Sequence, residues 1–230
     1  MSAAPLPDDR RERWVRPLLI AFVVACVADL AGVLADSDVL HLVAKPLLMP
    51  LLAAYAFARR GPRLLIAALL CGWIGDVFLL ADADLAFLVG MGGFAAGHLC
   101  YLRLFGRARG ALLPGIGYAV VLTVFVVLIW DGLPAGLRVP MAGYSLLLTA
   151  MAYRSGVLGR YAATGGALFL LSDALIATGI ADWPQLPAPD FWVMLTYVAA
   201  QFLLTLGVLA PGAKGAGAVL GAYRERSISI

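Results

Sequence analysis

The chain has 230 residues, 63% of them apolar and only 13% charged, with a mean hydropathy of +0.93. Soluble domains are about half apolar and a quarter charged, so a soluble globule is excluded, and eight spans of about 20 residues leave no room for an extramembrane domain. The net charge of +3 does not indicate nucleic acid, because the basic residues, 15 Arg among 17, fall in small groups between apolar runs and form no single stripe.

The start, MSAAPLPDDRRERW, is mixed in charge and reads as a tail over residues 1–14. The apolar stretch after it is longer than a signal-peptide core and contains Asp29, so it reads as an uncleaved first helix. Runs suited to helices fall at Arg16 to Ala35, Leu40 to Ala58, Leu64 to Leu80, Leu85 to Phe105, Leu112 to Trp130, Gly136 to Tyr153, Thr164 to Ile180 and Phe191 to Leu209. They are continuous and rich in Leu and Ala, whereas barrel strands alternate over about ten residues. The expected fold is an all-α membrane protein with eight transmembrane helices over residues 15–210 and a C-terminal tail over 211–230.

Lys and Arg near span ends tend to stay in the cytoplasm. Arg10, Arg11, Arg13 and Arg16 precede the first span; Arg59, Arg60 and Arg63 follow the second; Arg103, Arg107 and Arg109 the fourth; Arg154 and Arg160 the sixth; Lys214, Arg224 and Arg226 the eighth. The odd-numbered loops hold only Arg138, among Asp36, Asp38, Asp82, Asp84, Asp131, Asp182 and Asp190. Both termini are therefore expected in the cytoplasm, with the chain in a bacterial inner membrane. Trp14, Trp130, Trp183 and Trp192 fall near span ends, where an amphipathic ring prefers the interface, and Trp73 lies deeper.

A weak repeat relates AFARRG and AALLCGWIGDVFLL to AYRSG and GGALFLLSDALIA. Spans three and seven both run outward, so the repeat suggests two parallel four-helix halves around a central cavity holding Asp76 and Asp173. Cys26, Cys71 and Cys100 lie within or at the ends of apolar runs and have neither disulfide nor metal spacing; they read as packing residues.

Away from the span ends, Asp29, Lys45, Asp76, His98 and Asp173 are the ionisable side chains that remain in spans. Each is costly in hydrocarbon and should face the bundle interior or a wet cavity. An ion pair of Lys45 with Asp76 or Asp29 is the structural alternative, but three carboxylates exceed what one Lys and one His require. On span four Phe87, Gly90, Phe94, His98 and Tyr101 share one helix face. Span eight has Tyr197 and Gln201 on one face, and span six contributes Tyr144. The only other histidine is His41, so a three-His zinc site is unavailable, and no GxSxG, HExxH or glycine-rich phosphate loop occurs.

KPLLMP, GDVFLL, FLVGMGGFAAGHLCYL, GGALFLLSDALIA and TYVAAQFLL, in this order on spans two, three, four, seven and eight, resemble the YhhN-like lysoplasmalogenase family of membrane proteins, over about Val15 to Leu209. The resemblance implies hydrolysis of the alk-1-enyl ether bond of a lysoplasmalogen to a fatty aldehyde and a glycerophospho-alcohol. It also implies that Asp76 and Asp173 are the catalytic pair, with Lys45, His98 and Tyr101 nearby. Tyr144, Ser172 of the SD motif, Tyr197 and Gln201 complete the expected substrate-binding set. Asp29 lies outside the family pattern.

The chemistry suits these residue types. Vinyl ether hydrolysis begins with protonation of the β-carbon by a carboxylic acid, and the resulting oxocarbenium calls for a carboxylate beside it. The scheme requires neither metal nor organic cofactor, and the expected ligands are a single-chain ether lysophospholipid and membrane lipids. Lys45 suits either the substrate phosphate or the task of holding one aspartate ionised. The rival is a transporter or binding protein for a lipid-like amphiphile using the same polar cavity.

Overall fold

The computed structural model describes residues 7–81, 83–107 and 110–210, with side chains from Arg11 onward. The predicted C-terminal tail with Lys214, Arg224 and Arg226, the first six residues of the N-terminal tail, Asp82 and Arg109 lie outside the described residues.

The described residues form eight α-helices and no strand: α1 (Pro7–Leu34), α2 (Asp38–Ala58), α3 (Arg63–Phe78), α4 (Asp84–Leu104), α5 (Leu112–Ile129), α6 (Ala135–Ser155), α7 (Arg160–Ile180) and α8 (Pro189–Leu209). Each expected run holds one helix. The largest difference is at the start, where α1 begins at Pro7 and takes in the polar DDRRERW stretch. Arg and Glu lose little freedom in a helix and proline is well tolerated in a first turn, so no break separates this stretch from the apolar run.

Six helices, α1, α2, α4, α5, α7 and α8, are long and apolar enough to cross a membrane. The chain is an integral membrane protein. Helix α3, with 16 residues, reaches only about 24 Å at 1.5 Å per residue, and α6 carries Arg138, Pro140 and Arg154 along its length.

The burial pattern is that of a protein in an apolar solvent. Ile20, Val23, Val24 and Val27 of α1 and Val120, Val124, Val127 and Leu128 of α5 are exposed, while Asp29, Asp76, His98, Ser172 and Gln201 are inside. The main core joins Leu48, Met49 and Leu52 of α2, Leu65 and Leu69 of α3, Phe94 and Tyr101 of α4, Phe169 of α7 and Tyr197 and Leu204 of α8. Helices pack in chain order within each half, α1 on α2, α2 on α3 and α3 on α4, then α5 on α6, α6 on α7 and α7 on α8. The halves meet where α4 lies against α6 and where α8 lies against α1, α2 and α3. Close approach depends on small residues. A Cβ at Gly165 would stand 2.7 Å from the backbone nitrogen of Leu204, which is why α7 and α8 can touch there.

Prolines shape α2. Pro50 has no N–H, so the carbonyl of Pro46 has no donor four residues on, and the indole Nε1 of Trp73 on α3 donates to it at 2.9 Å. This bond gives the deeper Trp73 a partner and ties α3 to α2 next to Lys45.

Candidate active site

A cavity of about 140 Å³ opens between the halves. Its polar lining comes from Lys45 of α2, Asp76 of α3, Tyr144, Ser145 and Thr149 of α6, Ser172 and Asp173 of α7, and Tyr197 of α8. Apolar side chains make up the rest: Leu79 just after α3, Phe87, Met91 and Phe94 of α4, Val121, Leu122 and Phe125 of α5, Met141 and Leu148 of α6, and Leu170 and Met194 of α7 and α8 among others. A mostly apolar cavity with a few polar groups suits an amphiphile with a polar head and one chain.

Asp76 is buried, 2% exposed, and accepts a hydrogen bond at Oδ2 from the Tyr197 hydroxyl at 2.8 Å. A glycine one position earlier makes room for this corner: a Cβ at Gly75 would stand 2.6 Å from the Phe94 ring. Behind Tyr197 lies Gln201, whose Nε2 points to the Tyr197 oxygen at 3.5 Å and whose Oε1 accepts from the Tyr101 hydroxyl at 2.8 Å. The arrangement is therefore Tyr101, Gln201, Tyr197, Asp76, running from α4 through α8 to α3.

Asp173 is half-buried and accepts at Oδ2 a hydrogen bond from the Tyr144 hydroxyl. His98 Nε2 lies 3.1 Å from the Tyr144 oxygen, so a second chain of polar groups, His98, Tyr144, Asp173, runs from α4 through α6 to α7. The two chains share an aromatic floor. Phe169 meets Phe94, Tyr197 and His98 edge to face, with ring centroids at 6.1, 5.5 and 4.8 Å.

Burial is the leading influence on both carboxylates; a tyrosine hydroxyl bonds each of them, and Lys45, Asp29 and Asp173 also act electrostatically on Asp76. Among the described residues Lys45 makes no ion pair within 4.0 Å; Asp29 instead meets His41, with Oδ1 2.9 Å from Nδ1. The structural alternative, an ion pair of Lys45 with Asp76 or Asp29, is not formed within that distance, and Asp29 meets His41 because the α1–α2 hairpin brings the end of α1 level with the first turn of α2.

Of the nine residues singled out from the sequence, Lys45, Asp76, Tyr144, Ser172, Asp173 and Tyr197 line the cavity. His98, Tyr101 and Gln201 do not. His98 and Gln201 stand one hydrogen bond behind it and Tyr101 two, so in this structure these three back the lining residues instead of forming the lining. Ser172 spends its hydroxyl on the carbonyl of Val193 at 3.1 Å, which joins α7 to α8. Thr149 was missed: its Oγ1 is buried on the cavity wall with no hydrogen-bond partner among the described residues. Its signal was the spacing Tyr144, Ser145, Leu148, Thr149, which puts all four on one side of α6. No group of three or more metal-ligating side chains occurs among the described residues.

The YhhN family model matches residues 40–208. The lysoplasmalogenase TMEM86B of Rattus norvegicus is 37% identical over 227 aligned residues, covering 93% of this chain and 92% of its own length. TMEM86B of Homo sapiens is 32% identical, covering 86% of this chain and 87% of its own. A lysoplasmalogenase of Mycobacterium tuberculosis is 32% identical, covering 68% of this chain and 66% of its own. No solved structure matches.

Proposed function

The chain belongs to the YhhN family, and from that membership and the geometry of the cavity we propose that it is a membrane-embedded hydrolase that cleaves the alk-1-enyl ether bond of a lysoplasmalogen-type lysophospholipid. The observation that carries the reading is the pair of carboxylates, Asp76 and Asp173, each held by a tyrosine on one cavity whose lining is otherwise mostly apolar. The buried carboxylates and the repeat equally suggested a carrier, but the relatives are hydrolases, and the hydrolase reading is kept.

In this reading the chain of the substrate lies along Phe87, Met91, Phe125 and Met141, and the phosphate faces Lys45. Asp173 gives a proton to the β-carbon of the vinyl ether, and the C=C electron pair forms the new C–H bond. The positive charge that develops on the α-carbon and ether oxygen faces the carboxylate of Asp76. Water adds to the α-carbon and its proton returns to Asp173. The hemiacetal then collapses, its hydroxyl proton passing to the departing oxygen, to release aldehyde and alcohol. Asp173 is assigned the proton because Lys45, the only cation on the cavity wall among the described residues, acts on Asp76. A carboxylate on which an ammonium acts is the better one to meet a cation.

The same reading makes α3 and α6 membrane spans, giving eight, and places both termini and the loops with Arg59, Arg107 and Arg154 in the cytoplasm of a bacterial inner membrane. The helix pairing is compatible with two four-helix repeats, since α1 on α2 through α3 on α4 is matched by α5 on α6 through α7 on α8. Labelling of a cysteine placed at Asp182 in intact cells supports this orientation, and labelling only after permeabilisation overturns it.

The activity is tested with the detergent-purified protein and an alkenyl lysophospholipid. Aldehyde release is expected, with the saturated ether analogue binding uncleaved. An active-site-intact protein that binds both and releases no aldehyde would return the carrier reading to first place.

A further inference from the structure

His98 is 1% exposed and does not line the cavity, and among the described residues its polar contact with the site is the one to Tyr144. A tyrosine hydroxyl has one proton to donate, and that of Tyr144 goes to Oδ2 of Asp173. The 3.1 Å contact between His98 Nε2 and the Tyr144 oxygen is then a hydrogen bond only if the ring nitrogen carries a proton. The other ring nitrogen points the same way. His98 Nδ1 is buried and has no hydrogen-bond partner among the described residues. A proton there would be a stranded buried donor, whether the ring carried one proton or two, and such donors are rarer and costlier than a bare acceptor lone pair. The ring is also fixed in place, edge to face on Phe169 at 4.8 Å.

We propose that His98 is a positioning residue, a neutral imidazole with its proton on Nε2, that sets the direction of the His98, Tyr144, Asp173 relay. With the oxygen of Tyr144 already accepting from His98, its hydroxyl proton is committed to Oδ2 of Asp173. Oδ1 of Asp173 is then left as the oxygen that exchanges protons in the cavity. The relay's direction stands on geometry alone; its catalytic consequence rests on the hydrolase reading.

The chain has only two histidines, His41 and His98, so histidine labelled with nitrogen-15 gives two rings to resolve, and the His98→Gln protein assigns them. Long-range proton–nitrogen correlation on the full-length protein in detergent should show His98 with Nε2 protonated and Nδ1 bare. In the Tyr144→Phe protein the His98 signals should shift toward a mixture of tautomers, because the acceptor for Nε2–H is gone. A His98 ring protonated on Nδ1, alone or in addition, overturns the proposal. In kinetics, His98→Leu should lower kcat about three- to tenfold with KM unchanged, the loss expected for one hydrogen bond. His98→Gln, whose amide donates from a similar place, should restore turnover to within about twofold of the original. A raised KM with unchanged kcat, or a Gln variant no better than a folded Leu variant, also overturns it. Should the Leu variant not fold, the tautomer of the original protein decides. A wild-type protein that releases no aldehyde would sink the hydrolase reading while the nitrogen spectra still report on the relay.

Discussion

Asp76 and Asp173 each accept a hydrogen bond from a tyrosine on a neighbouring helix, and they differ in what stands behind that tyrosine and what stands beside the carboxylate. Tyr197 is backed by an amide and a second tyrosine, Tyr144 by an imidazole. Asp76 has Lys45 acting on it, and Asp173 shares its corner with Ser172, whose hydroxyl is spent on backbone. Two carboxylates given the same donor and unequal charge can divide the work of acid and charge stabiliser, as paired carboxylates do in glycoside hydrolysis. The tyrosines bond one oxygen of each carboxylate, and in the proposed reaction Lys45 breaks the symmetry.

The test with the largest expected effect is also the harshest on that comparison. Asp173→Asn and Asp76→Asn should each lower turnover of an alkenyl lysophospholipid by at least about a hundredfold, since a positioned acid or base is typically worth 10² to 10⁴. Solvent deuterium should slow the wild-type reaction when proton transfer to carbon limits the rate. If both folded Asn proteins kept wild-type turnover, the acid–base pairing would be wrong. Next in size are Tyr144→Phe and Tyr197→Phe, each removing one hydrogen bond to a carboxyl group while keeping the ring. About a tenfold or greater fall in kcat is expected from each, because hydrogen bonds to charged groups contribute about 1.5–3 kcal/mol. Equal losses would support the matched roles of the two tyrosines. A loss confined to one of them would mean that only one carboxylate takes part.

The eight apolar runs were legible because a helix in lipid has to satisfy its own backbone and stay apolar, and every run became a helix. The polar residues inside them were legible for the same reason, as their cost in hydrocarbon marks them. What joins them was not. A tyrosine in an apolar helix reads equally well as packing, and nothing along the chain says that Tyr197 meets an aspartate 121 positions away or that Tyr101 reaches Gln201 across 100. Helix faces were readable, as Phe87, Gly90, Phe94, His98 and Tyr101 show, but depth along a face was not. On that face Phe87 and Phe94 reach the cavity while His98 and Tyr101 stop behind it. The basic asymmetry between loops is a property of the chain in a membrane and has no readout in side-chain packing.

Lys45 gives the next smaller effect. Lys45→Met keeps much of the aliphatic stem and should raise KM about tenfold as the phosphate loses its ammonium, and should also lower kcat, because Asp76 loses the cation that favours its charged form. A rise in KM with kcat unchanged would confine Lys45 to the phosphate and leave the division of roles between the carboxylates without its cause.

The smallest expected effect comes from the tie that holds Lys45 on its side. Trp73 Nε1 donates to the carbonyl of Pro46, the residue after Lys45, at 2.9 Å, and it can do so because Pro50 leaves that carbonyl without a helical donor. Trp73 lies three residues before Asp76, and the residue three before Asp173 is Leu170, which has no such donor. The tie therefore belongs to one half of the molecule only. Trp73→Phe keeps an aromatic ring and removes the N–H, leaving a carbonyl in apolar surroundings and a looser turn around Lys45. One neutral hydrogen bond contributes about 0.5–1.5 kcal/mol, so KM should rise about two- to tenfold with kcat unchanged if the looser turn misplaces the ammonium. The direction of the split is the informative part. A rise in KM alone places the tie in service of Lys45 and the substrate head, whereas a fall in kcat alone would mean that α3 itself moves and carries Asp76 with it.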